Sequence, residues 1–138
     1  MHARVTVLVP LLLAAGSIHS ANPPEKHTGV TRTQFTSAIR DHEPVDNLTE
    51  LNTGTAERIY CFTELGSMSG QFVTQSWEYR GEVINTTRFR VDGPHSRIWS
   101  SQLLTPDRPG SWTVLVLSAS GKVLAERTLD YNLEEPVF

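Results

Sequence analysis

Cysteine is nearly absent from this sequence of 138 residues, and the single one, Cys61, cannot form a disulfide within the chain. Stability must therefore come from the packing of apolar side chains. Cys61 stands inside an apolar run, where we expect a small buried side chain. The histidines are not at metal-ligand spacing and none is near Cys61 in the sequence, so neither a zinc site nor a Cys–His nucleophile is predicted.

No apolar run is long enough to cross a bilayer as a helix. The run from 5 to 15 is about half of the roughly 20 residues that a transmembrane helix needs, and Pro10 interrupts it. Basic residues precede this run and small residues follow it, which is the layout of a secretory signal peptide. Residues 1–21 are therefore predicted to be a signal peptide, with the rest exported to the periplasm or the medium and not inserted in the membrane.

A basic block is also lacking. The net charge is -3, and both signs are scattered along the chain. Nucleic acid and anionic membrane surfaces are therefore not expected as partners. After cleavage about 115 residues remain, which is enough for one domain with one core.

The rest of the chain has the short runs and turn residues that are typical of an all-β domain. Residues 22–31 contain prolines and a glycine without an apolar period, so we predict a flexible leader followed by a domain at 32–138. Short runs rich in β-branched and aromatic residues follow, separated by Gly, Pro, Asn and Asp. The runs lie at 32–40, 57–65, 71–80, 82–91, 96–104, 111–118 and 122–131. Seven such runs predict a single immunoglobulin-like or fibronectin-like antiparallel β-sandwich.

Alternation within the runs predicts which side chains form the core. In the third run Val73, Gln75, Trp77 and Tyr79 share one face, and Trp77 is expected to be buried between the sheets. Short glycine-bearing connections at 80–81 and 118–122 predict hairpins, with positive φ at Gly81 and Gly121. The long connection at 41–56 is expected to contain a helical turn at 46–51 and to tuck Leu48 and Leu51 onto the core.

Several motifs together resemble a bacterial family of unknown function, DUF2914. They are "RTQFTSAI" at 32–39, "EPVD" at 43–46, "FTEL" at 62–65, "WEYRGEV" at 77–83, "IWSS" at 98–101 and "GSWTVLV" at 110–116. The resemblance covers roughly residues 30–131. It implies a small exported or envelope-associated all-β module, and it implies no activity, cofactor or catalytic residue.

The main functional hypothesis is a non-catalytic module that binds an envelope protein or a glycan. Trp99 is the best candidate for an exposed aromatic platform, because Ile98 faces the core and Trp99 must then face the other way. Packing in the core or against a hairpin is still the favoured interpretation of this side chain. A platform of this kind stacks on sugar rings and is bordered by hydrogen-bonding groups. The candidate binding residues are Arg97, Trp99, Ser101, Tyr79, Glu43 and Asp46.

The alternative hypothesis is a small hydrolase that uses the acidic loop Asp41, His42, Glu43 and Asp46. The same loop could be read as a calcium site, but calcium needs six or more oxygen ligands and only three carboxylates are present. The segment "GSMSG" at 66–70 has Met68 where a nucleophile elbow requires serine. We therefore predict no enzymatic activity, no metal and no cofactor, and we interpret the loop as a solvated turn in which Pro44 ends the first strand.

Overall fold

A computed structural model describes residues 29–134, and this range contains ten β-strands and no helix. The strands are β1 (Gly29–Thr36), β2 (Ile39–Arg40), β3 (Glu43–Pro44), β4 (Glu50–Asn52), β5 (Glu57–Gly66), β6 (Phe72–Tyr79), β7 (Glu82–Arg90), β8 (His95–Leu104), β9 (Gly110–Ser118) and β10 (Val123–Asn132). The predicted signal peptide lies outside the described residues. The last three residues of the predicted leader, 29–31, belong to β1, so the domain begins before the expected residue 32.

The strands form two main sheets, and the predicted β-sandwich is confirmed. One sheet has the order β1-β5-β8 and the other has the order β4-β10-β9-β6-β7, while β2 and β3 form a separate small hairpin. All pairings are antiparallel except that of β4 with β10, which is parallel. Within 29–134 no helix is long and apolar enough to cross a membrane.

The core lies between the two sheets and is built around large aromatic side chains. Trp77 on β6 is 0% exposed, as predicted, and its ring lies 5.7 Å from that of Phe35 on β1. Trp112 on β9 and Tyr131 on β10 are also fully buried in the same cluster. Each such side chain removes about 150–250 Å² from water, so a few of them supply much of the apolar stabilisation.

A chain of hydrogen bonds crosses this core. Gln75, fully buried beside Trp77, donates from Nε2 to the carbonyl of Cys61 (3.1 Å) and to Thr63 Oγ1 (2.9 Å). Ser100 Oγ donates to Gln75 Oε1 and accepts from Trp77 Nε1 (2.9 Å). Every buried side-chain nitrogen and oxygen in residues 29–134 has a partner. The network therefore joins the sheets without leaving an unsatisfied polar group.

Cys61 is fully buried in this core, as predicted. Burial raises the pKa of its thiol to about 11, although contacts with Thr33 and Thr63 oppose the shift. The thiol is therefore protonated at neutral pH and acts as a small apolar group.

The turns follow the predicted chemistry at both hairpins. Arg80 and Gly81 have φ values of 51° and 80° between β6 and β7, and Gly121 has a φ of 91° between β9 and β10. Two consecutive positive φ values match the right-handed twist of paired strands.

The region from 37 to 56 differs from the prediction. The run at 32–40 breaks after Thr36, and Pro44 lies in β3 instead of ending the first strand. The predicted helical turn at 46–51 is wrong, because Leu48 forms a bridge with Phe35 and residues 50–52 form β4. These tertiary pairings outweigh a weak local helix signal. Leu48 and Leu51 do pack against the core, as expected.

Candidate functional site

The β2–β3 hairpin (Ile39–Pro44) lies over the outer face of the three-stranded sheet. We call this outer face of the sheet the hairpin face. Asp41 and His42 form its turn, with φ values of 51° and 63°. Among residues other than glycine, Asp and His adopt this left-handed region more readily than most. The His42 ring lies 5.9 Å from the ring of Trp99 on β8, so the turn reaches across the sheet to its edge strand.

Four charged side chains hold the hairpin to the sheet. Glu43 contacts both Arg32 (2.8 Å) and Arg97 (3.2 Å), and Glu64 contacts the same two arginines at 3.3 Å each. Arg97 also donates to the carbonyl of His42 (3.3 Å). The hydrogen bond from Arg32 lowers the pKa of Glu43, and the hydrogen bond to Glu43 raises the pKa of Arg32. All four side chains are partly exposed, and ion pairs in water add little to the free energy of unfolding. We therefore interpret this closed ring of charges as fixing the position of the hairpin on the sheet.

Asp46 is the second anchor of the hairpin. Its Oδ1 accepts from Thr36 Oγ1 (2.7 Å) and from the backbone nitrogen of Ser37 (2.8 Å), and its Oδ2 accepts from Ser37 Oγ (2.6 Å). Burial raises the pKa of Asp46, but the hydrogen bonds outweigh this effect, so the pKa of the carboxyl is lowered overall. The carboxylate therefore binds the end of β1 to the end of the hairpin.

Replacing Asp46 with asparagine is expected to lower the free energy of unfolding by about 1–2 kcal/mol at pH 7, because an amide nitrogen cannot accept the bonds that Oδ2 or Oδ1 receives. The lowered pKa of Asp46 means that its contribution is complete above the ordinary value of 3.8 and is lost as pH falls through the folded-state value. Urea unfolding at pH 7 and at pH 3 measures the difference. Asp92→Asn makes the same change at an exposed position and is the control. If Asp46→Asn is less stable than the parent by the same amount at pH 3 as at pH 7, the role given to the ionised Asp46 carboxylate is wrong.

Beside the hairpin is an open depression of about 480 Å³, which we call the first depression. Its lining residues are Ser37, Ala38, Ile39, Asp41, His42, Tyr60 and Trp99. Trp99 is half-buried, and its ring is nearly parallel to that of Phe62, with an interplanar angle of 14° and centroids 6.4 Å apart. Phe62 is fully buried on the hairpin face, as the cross-strand partner of Trp99. The indole is therefore held by the neighbouring ring of Phe62 while it still borders the depression.

A second depression of about 800 Å³ lies on the other side of the hairpin turn. It is lined by Asp41, His42, Glu64, Asp92, His95, Ser96 and Arg97. Asp41 and His42 line both depressions, so the turn separates an aromatic region from a charged one.

The structure brings together only part of the predicted binding set. Arg97, Trp99 and Glu43 meet at the hairpin face, and Ser101 follows on β8, where it accepts from Arg58 (3.1 Å). Tyr79 lies elsewhere, because its ring packs on Trp112 at 4.8 Å and its hydroxyl donates to the carbonyl of Pro109 (2.7 Å). Asp46 is engaged with its own loop.

Tyr60 is the aromatic lining residue that the sequence analysis missed, as it also missed Ser37, Ala38 and Ile39. Ile59, Cys61 and Thr63 face the core, so the alternate positions of β5 face outward. That alternation was the available signal for Tyr60. Its relation to Trp99 depends on the pairing of β5 with β8, which the sequence does not show.

In the loop proposed for hydrolysis, two of the three acidic groups have structural roles. The carboxylates of Glu43 and Asp46 are occupied by arginines and by hydroxyl and amide donors, respectively. In the range 29–134, no group of three or more His, Cys, Asp or Glu side chains is placed to hold a metal ion.

Residues 71–129 match the model of a family described as "Protein of unknown function (DUF2914)". This match confirms the resemblance over the segment that includes β6, β7, β8 and β9. The hairpin and Tyr60 lie before the matched segment, and Trp99 lies inside it. No curated protein matches the chain.

Proposed function

We propose that this protein with a DUF2914 segment is a non-catalytic binding domain of the cell envelope, and that its ligand is an envelope protein or a glycan bound in the first depression. The signal-peptide pattern of residues 1–21 supports export to the periplasm or the medium. The observation that carries the binding proposal is the position of Trp99, whose indole borders an open depression while Trp77 and Trp112 are fully buried.

The surroundings of Trp99 support a binding role. Its ring is oriented by Phe62 and by the edge of His42, so little side-chain freedom remains to be lost when a ligand stacks on it. Rigid aromatic anchors flanked by polar groups are typical of binding sites. Ser37 and Asp41 supply such polar groups at the border.

The hydrolase alternative has less support. A general acid needs a pKa raised toward the working pH, whereas the pKa values of Glu43 and Asp46 are both lowered. The depression is also an open surface feature and not a closed pocket that excludes water.

Capture experiments with the Trp99→Ala variant test the proposal. The full chain and the variant are immobilised and compared for retention of envelope proteins from a membrane-free extract and of glycans from an array. We expect the ligand retained by the parent to bind the variant at least about tenfold more weakly, as for a central aromatic anchor.

Phe72→Ala is the matched control. Phe72 is a partly buried aromatic residue of the other sheet, and Arg88 covers its ring at 3.9 Å. Retention must persist in this variant for loss in Trp99→Ala to count as support. A ligand that binds the parent and Trp99→Ala equally would place the binding site elsewhere and refute the proposal.

A further inference from the structure

We propose that the group bound in the first depression is a cation, namely a lysine or arginine side chain of a protein partner, held against the rings of Trp99 and Tyr60 beside the carboxylate of Asp41. This inference rests on the proposed function and specifies its ligand. It selects a protein over a neutral glycan.

The two rings have the spacing of a cation site. Tyr60 is paired with Ser101, and Trp99 is paired with Phe62, so Tyr60 and Trp99 are diagonal neighbours on one face of the antiparallel pair. Diagonal neighbours are about 7–8 Å apart, within reach of aromatic side chains. A cation is attracted to a ring when it lies within about 6 Å of the centroid. One ammonium or guanidinium group between the rings can therefore lie within this distance of both centroids.

The charges around the depression favour a cation over an anion. Asp41 lines both depressions, and the second depression adds Asp92. The other carboxylate of the second depression, Glu64, is paired with Arg32 and Arg97. Arg97 is the one arginine among the lining residues of the two depressions, and it is neutralised by its contacts with Glu43 and Glu64. The lining carboxylates that have no salt bridge among the described residues, Asp41 and Asp92, are both negative, which favours basic groups over phosphate or carboxylate ligands.

Within residues 29–134 the same contact occurs at three places. Arginine side chains lie over the rings of Phe62 (4.8 Å), Tyr79 (5.1 Å) and Phe72 (3.9 Å). In the first case the covered ring is the direct neighbour of Trp99 on the hairpin face. A basic side chain from a partner would place a second cation–ring contact next to that of Arg32 and Phe62, at the edge of the three-stranded sheet.

A titration followed by nuclear magnetic resonance tests the inference on the full chain. The sequence contains three tryptophans, so three indole N–H signals are expected. Those of Trp77 and Trp112 are internal references, because their indole nitrogens donate to Ser100 Oγ and to the carbonyl of Arg108. The probes are a capped pentapeptide with one central lysine, the same peptide with that lysine acetylated, and a neutral chito-oligosaccharide.

We expect the lysine peptide to shift the Trp99 signal in a saturable way, with a dissociation constant on the order of millimolar. Acetylation removes the charge and should weaken binding at least about fivefold. Asp41→Asn should weaken it to a similar degree, and asparagine suits the left-handed φ of this position. Glu126→Gln, an exposed residue of the other sheet, makes the same charge change and should have no effect.

Equal binding of the two peptides, or full affinity in Asp41→Asn, would overturn the inference. A chito-oligosaccharide that shifts Trp99 while the lysine peptide does not would also overturn it, yet would leave the proposed binding function in place. If none of the probes shifts Trp99, the cation site is refuted. The broader function is then decided by the capture experiment with Trp99→Ala.

Discussion

Replacing Trp77 with alanine is expected to lower the free energy of unfolding by about 3–5 kcal/mol, which is a large part of the roughly 5–15 kcal/mol that stabilises a typical domain. The side chain is 0% exposed and packs on Phe35 between the sheets, so its removal leaves a cavity. The substitution also leaves Ser100 Oγ without the N–H donor that it accepts from. Urea unfolding followed by circular dichroism measures the loss.

Trp99→Ala is the matched control for Trp77→Ala. The same atoms are deleted, but Trp99 is half-buried at the edge of the hairpin face. We expect a loss of about 1 kcal/mol or less. A variant Trp77→Phe separates the ring from its N–H group, because it keeps most of the packing while removing the hydrogen bond. Similar losses for Trp77→Ala and Trp99→Ala would contradict the arrangement of the core.

Replacing Gln75 with glutamate is expected to have an effect of similar size, although the two side chains have nearly the same shape. Gln75 is fully buried, and its Nε2 donates to Cys61 and Thr63, where a carboxylate would place negative charge against acceptor oxygens. A buried carboxyl takes up a proton instead. At pH 7 this proton uptake costs about 4 kcal/mol, because the ordinary pKa of glutamate is about 4.3.

The pH dependence of the Gln75→Glu variant has a defined sign. Burial raises the folded-state pKa of a carboxyl above its unfolded value, so the folded state binds more protons. The deficit should be small below about pH 4 and should grow as pH rises from there. A residual loss of about 1 kcal/mol remains in acid, because a protonated carboxyl has one donor where the amide has two.

Unfolding free energies of the parent and of Gln75→Glu between pH 3 and pH 7 test this expectation. Gln71→Glu makes the same chemical change at an exposed position and should leave stability within about 0.5 kcal/mol. A deficit that does not vary with pH would show that position 75 is hydrated and that the buried network is not intact.

The long strands could be predicted because their sequences carry a local signal. β6 alternates between apolar or amide residues on one face and polar residues on the other, so the burial of Trp77 and Gln75 on one face followed directly from period 2. Gly81 and Gly121 marked hairpin turns for the same local reason. The match of residues 71–129 to DUF2914 covers this regular part of the chain.

The elements around the candidate site could not be predicted, because they are formed by contacts between residues that are far apart in the sequence. β2 and β3 have two residues each, too few for a periodic pattern, and their turn uses Asp41 and His42 in place of the usual Asn or Gly. The hairpin is held by Glu43 and Asp46, whose partners lie 9 to 54 positions away in the sequence.

The candidate site was therefore foreseen in part. Trp99 could be assigned to the outer face because Ile98 serves the core, and Arg97 shares the charged contacts of that face. The position of Tyr79 could not be foreseen, because alternation assigns a side chain to a face but does not tell which sheet carries the strand. Its ring belongs to the opposite sheet, against Trp112.

The place of β10 in the five-stranded sheet bears on biosynthesis. This last strand lies between β4 and β9, supplies Leu129 and Tyr131 to the core, and bonds through the Tyr131 hydroxyl to the carbonyl of Thr55 (2.8 Å). While the ribosome still holds residues 123–132, β4 has no neighbour and the core has an open side. Nascent chains therefore complete the sandwich only after synthesis has passed β10.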